Sequence, residues 1–102
     1  MDVTEGKDKI EAYVTILSAA EDIAAEHLSF KWSLAEKKPR CKSSHDGIVY
    51  STRIHLGKKS QALVFSECEI RKSITQPELF LLKHKDEILN ALRKLKLPKR
   101  YR

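Results

Sequence analysis

The spacing of apolar residues changes twice along the chain, and that change restricts the fold more than any other feature. From residue 5 to residue 27, Ile10, Tyr13, Val14, Leu17, Ala20, Ile23 and Ala24 recur at steps of three and four. Such spacing lines one face of an α-helix. Over residues 29–35 the step falls to two. Phe30, Trp32 and Leu34 alternate with Lys31, Ser33 and Ala35, as in a half-buried strand. Residues 36–47 hold Pro39, Ser43, Ser44 and Asp46-Gly47, which read as a loop. Alternation resumes over 48–56. Gly57–Gln61 reads as a hairpin loop. Residues 62–71, with Val64, Phe65 and Ile70, read as a third strand with a bulge, or burial of both faces, expected at Leu63–Phe65.

The helical step then returns. Thr75 and Glu78 have the spacing of a capping box, and Pro77 suits a first helical turn. Leu81, Leu82, Ile88, Leu89, Leu92 and Leu95 supply an apolar stripe, which Pro98 ends. The order predicts an α+β fold: an N-terminal helix, a three- or four-stranded antiparallel sheet and a C-terminal helix. With 102 residues the chain fits one domain, residues 1–4 and 98–102 being expected as flexible ends.

No apolar run approaches the roughly 20 residues that cross a bilayer, so no membrane association is expected. The opening Met1-Asp2-Val3-Thr4-Glu5 is acidic, unlike a secretory signal, and Cys41 and Cys68 make no dense disulfide framework. The expectation is reduced thiols and an intracellular setting, cytoplasmic or nuclear.

The net charge of +6 is unevenly spread. Residues 1–36 carry three Lys/Arg against eight Asp/Glu. Residues 37–61 carry seven against one, and residues 83–102 carry eight against two. Two basic blocks set against an acidic first third point to a polyanionic partner. The candidate phosphate contacts are Lys37, Lys38, Arg40 and Lys42 in the first connection, Arg53 on the middle strand, Lys58 and Lys59 in the hairpin, and Lys99, Arg100 and Arg102 in the tail. Arg53 and His55 share one strand face. Trp32 and Tyr50 are the candidate stacking residues for unpaired bases.

Residues Ser73 to Ile88, running on through Ala91-Leu92-Arg93-Lys94-Leu95, resemble the last strand and helix of the single-stranded-DNA-binding transcriptional coactivators of the positive-cofactor-four type. The resemblance covers about a quarter of the chain. It implies a small antiparallel sheet followed by one helix, dimerisation through that helix, and a preference for single strands. The chain departs from the family in lacking its Asp-Ile-Arg strand motif and in adding an N-terminal helix.

A second pattern, Asp46-Gly47-Ile48-Val49-Tyr50 followed by Glu67-Cys68-Glu69-Ile70-Arg71, resembles a PD-(D/E)xK nuclease signature. That chemistry needs a lysine beside the metal-bound water. Here Glu69 and Arg71 stand at the lysine positions, and arginine stays protonated. Cys41, His45, His55 and Cys68 lack the paired spacing of a zinc site. The chain is therefore expected to be a non-enzymatic nucleic-acid-binding protein, a homodimer, without metal or other cofactor. Two rivals are kept: a small protein-binding inhibitor or adaptor from a virus or mobile element, and a nuclease or its inactive relative.

Overall fold

In the computed structural model, which describes residues 3–36 and 48–96, the chain is α+β. Helix α1 spans Val3–Ala20 and buries Gly6, Ile10, Val14 and Ser18, one residue from every turn. It stops seven residues short of the expected 27 because the chain turns left-handed at Asp22, whose φ is 60°. The Asp22 amide donates to Ala19 O at 3.2 Å and the Ile23 amide to Ser18 O at 3.0 Å. These two bonds form a Schellman ending, in which glycine normally fills the left-handed position. A side chain there carries a conformational cost of about 1–2 kcal/mol, only part of which aspartate recovers. Asp22→Gly should therefore raise stability by about 0.5–1 kcal/mol, read as a higher urea midpoint at unchanged slope.

A single 3-10 turn, Ala25–His27, leads into the sheet. Strands β1 (Leu28–Glu36), β2 (Val49–Leu56) and β3 (Lys59–Ser66) form an antiparallel meander in the order β1-β2-β3. Leu63–Phe65 neither bulges nor buries both faces, since the register runs through it unbroken and Val64 is exposed. The bulge lies in β1, where the register shifts between Leu34 and Glu36 and leaves Ala35 unpaired. The hairpin loop is only Gly57–Lys58, because Leu56 pairs with Lys59. Gly57 has φ 63° and Lys58 has no positive φ, the pattern of a type II′ turn.

The third strand ends at Ser66, not at residue 71. The Ser66 hydroxyl accepts from the Glu69 amide at 3.2 Å, and Glu69 Oε1 accepts from the Ser66 amide at 2.9 Å. This capping box starts helix α2, Glu67–Thr75. Glu67 and Glu69 are therefore on the first turn of a helix, not on the third strand. The Thr75 hydroxyl donates back to Arg71 O at 3.2 Å within α2, so it does not cap the next helix. Gln76 O accepts the first bond of helix α3, Pro77–Lys96, from Phe80. The buried stripe of α3 is Phe80, His84, Ile88, Ala91, Leu92 and Leu95, whereas Leu82 is 81% exposed.

The helices cover one face of the sheet. Ile54, Leu63 and Phe65 of that face join Ile10 and Val14 of α1, Ile70 of α2 and the α3 stripe in one core. Thr52 lies among them, 1% exposed, and its Oγ1 meets no hydrogen-bond partner among the described residues. An unsatisfied buried hydroxyl costs about 1–3 kcal/mol, and valine has nearly the same shape. Thr52→Val should raise stability by about 1 kcal/mol or more, measured by chemical denaturation.

Helices α1 and α2 meet closely. The Ser73 hydroxyl reaches Ile70 O at 2.6 Å and Gly6 O at 3.3 Å, and the Tyr13 hydroxyl donates to Ser73 O at 3.0 Å. Among the described residues no helix is long and apolar enough to cross a membrane.

Candidate nucleic-acid interface

Strand alternation decides what each sheet face carries. The register aligns Phe30 with Ile54 and Gln61, and Trp32 with Thr52 and Leu63. Those side chains face the helices. The intervening rows must therefore point the other way: Ser29, His55 and Ser60; Lys31, Arg53 and Ala62; Ser33, Ser51 and Val64. None of these nine belongs to the core or packs against it. Lys31, Arg53, Ala62 and Val64 are exposed, Val64 by 50%. The face is open.

These three rows present two permanent cations, a histidine, four serine hydroxyls, an alanine and a valine, and no carboxylate; the next row of the same phase pairs Glu36 with Val49 and Ser66. Lys31 stands directly opposite Arg53 on neighbouring strands. Like charges in that position destabilise a sheet. The guanidinium is held: Arg53 Nη1 donates to Ser60 Oγ at 2.9 Å. No ion pair among the described residues includes Lys31 or Arg53. Three carboxylates pair on the helix side instead: Glu67 with Arg71, Glu69 with Lys83, and Glu21 with Arg93. Lys58, exposed at the tip of the β2–β3 hairpin, adds a cation at one end of the sheet.

The expected contacts are dispersed differently from the sequence reading. Arg53 is on the open face, as is His55. Lys59 starts β3 in the row of Leu28 and Leu56, which faces the helices. Lys37, Lys38, Arg40, Lys42, Lys99, Arg100 and Arg102 lie outside the described residues. Trp32 and Tyr50 face the helices and pack against the core. The Trp32 indole N–H donates to Glu11 Oε2 at 2.7 Å, and its ring lies 6.3 Å from that of Phe65. Lys7 of α1 sits over both rings, Nζ being 5.6 Å from the Trp32 centroid and 4.9 Å from that of Tyr50. These contacts dock α1 on the sheet edge and occupy the ring faces a base would need. Lys31 was missed because it stands alone in an acidic stretch. Its signal was its phase, opposite to Phe30 and Trp32.

A second polar cluster closes the α2–α3 seam. His84, 5% exposed, has Nδ1 3.0 Å from Glu87 Oε1. Its Nε2 lies 3.3 Å from Glu69 Oε2, an ion-pair distance without hydrogen-bond alignment. Lys83 Nζ reaches the same oxygen at 3.1 Å. Burial pushes the Glu69 carboxyl up, but the Ser66 amide, the Lys83 ammonium and the charge of His84 together outweigh it, and the group ends below its ordinary value. A carboxyl lowered in the folded state contributes stability above its unfolded value of about 4.3 and loses it as pH falls through the folded one. Glu69→Gln keeps the cap geometry and removes the charge. The stability gap between wild type and this variant should be full above about pH 5 and shrink towards pH 3, followed by urea titration at each pH. Among the described residues no group of three or more His, Cys, Asp or Glu side chains could hold a metal ion.

No protein-family model, no curated protein and no solved structure matches this chain.

Proposed function

We propose that the chain is a non-enzymatic nucleic-acid-binding protein that takes the phosphate backbone across the open face of its sheet. The observation that carries this reading is the Lys31–Arg53 pair, two like charges set opposite each other with no carboxylate in their own row or in the rows on either side. A sheet face needed only for solubility gains more from mixed signs, which also stabilise cross-strand pairs. A phosphate placed between the two cations removes their repulsion. It also releases counterions, the main source of affinity in such complexes. The serine hydroxyls around the pair are suitable donors to further phosphate oxygens. Lys58, in the turn after β2, adds a cation at one end of the sheet, and the basic sequence block Lys37–Lys42 falls in the connection between β1 and β2.

The test is a fluorescence-anisotropy titration of labelled oligonucleotides against the full chain at two salt concentrations. With four phosphate contacts, affinity should fall about a hundredfold between 50 and 200 mM salt. Absence of binding at 50 mM, or affinity indifferent to salt, would remove the reading.

A further inference from the structure

We infer that the ligand of the open face is a duplex, held through its backbone without base readout. This rests on the nucleic-acid reading above and narrows it. Proteins that hold unpaired strands combine a positive groove with aromatic faces on which successive bases stack. The chain has three Phe, three Tyr and one Trp. Phe65 and Phe80 are in the core, and Tyr13, Phe30, Trp32 and Tyr50 pack against it on the helix side. Tyr101 lies outside the described residues, and the connection 37–47 contains no Phe, Tyr or Trp. The three open rows are thus left with two cations, a histidine, small hydroxyls, Ala62 and Val64, and no Phe, Tyr or Trp. Arg53, which could stack in place of an aromatic ring, is tied to Ser60 Oγ at 2.9 Å.

Such a face gains affinity from phosphate density alone. A duplex carries one charge per about 1.7 Å of axis, a single strand half that, and each phosphate contact on a duplex also releases more counterion. Hydroxyls and point charges read no sequence when they meet only phosphate and sugar.

The experiment compares a 20-base-pair DNA duplex, each of its strands alone, a duplex of unrelated sequence, and the RNA duplex of the first sequence, at one salt concentration. Either duplex should bind at least about fivefold more tightly than the free strands, and the two DNA duplexes should agree within about twofold. The DNA and RNA arms distinguish the two sources of the same backbone chemistry. The single tryptophan gives an independent readout, because Trp32 emission should stay unquenched on binding. Strands that bind as tightly as their duplex, strong quenching of Trp32 by a single strand, or discrimination between the DNA duplexes would overturn the inference while leaving the nucleic-acid reading in place. Failure of all the oligonucleotides to bind would overturn both.

Discussion

Replacing Gly6 with alanine should destabilise the protein by about 3 kcal/mol, lowering the midpoint of thermal unfolding by roughly 12–24 °C. Intrinsic propensity argues the opposite way. Gly6 lies inside α1, and alanine in a helix interior gains about 1 kcal/mol over glycine. The packing decides the sign. A Cβ on Gly6 would collide with Ile70 Cγ2 and stand 2.5 Å from the Ile70 carbonyl oxygen. Backbone cannot swing aside as a side chain can, so α1 and α2 would have to separate. Separation lengthens the bonds from the Ser73 hydroxyl to Gly6 O and from the Tyr13 hydroxyl to Ser73 O, each contributing about 1 kcal/mol. Truncating the obstructing side chain in the double variant Gly6→Ala, Ile70→Ala should bring no recovery, since the carbonyl remains. An unchanged or raised midpoint for Gly6→Ala would mean that the two helices do not approach in this way.

Lys31→Glu should move stability and binding in opposite directions. A carboxylate at position 31 stands directly opposite Arg53 and converts a repelling pair into an attracting one. The gain expected is about 0.5–1 kcal/mol, seen as a higher denaturation midpoint. The same change removes one phosphate contact and places a negative charge among those that remain. Oligonucleotide affinity should fall at least about tenfold at 100 mM salt, and the salt slope should drop by about 0.9 or more. A binding defect in a more stable protein cannot be put down to unfolding. Lys31→Ala separates the two effects: it should lose the contact with a smaller gain in stability. If Lys31→Glu binds as the wild type does, the open face is not the contact surface.

The element order was legible because the apolar step differs so plainly between residues 10–17, 30–34 and 88–95. The boundaries were less so, for identifiable reasons. α1 ends at a left-handed aspartate, and Asp22 carries none of the warning a glycine would give. The spacing of Ser66 and Glu69 marks a helix start, but Val64, Phe65 and Ile70 around it carry strand propensity, and Thr75 with Glu78 offers the same spacing nine residues later. Only the paired bonds between Ser66 and Glu69 decide between them. His84 sits in phase with Phe80 and Ile88, yet a titratable side chain in an apolar stripe is readily assigned to solvent. Its burial depends on Glu69 arriving from a different helix.

The candidate site was half readable. Charge blocks draw attention to runs such as Lys37–Lys42. The like-charge pair at the centre of the open face joins two isolated cations, brought together by the β1–β2 register. No composition window contains that information. Trp32 and Tyr50 show the converse: they share the phase of Phe30, Leu34 and Ile54, which assigns them to the covered face whatever the charge nearby.

Phosphate should meet the sheet face turned away from the helices. An amide-resolved NMR titration of the full chain with a 20-base-pair duplex tests it most directly. Ser29, Lys31, Ser33, Ser51, Arg53, His55 and Ser60 should show the largest shift changes, and buried α3 positions such as Ile88 and Leu92 should stay still. Changes confined to α1, α2 and α3, with the outward rows of the three strands unmoved, would contradict the account.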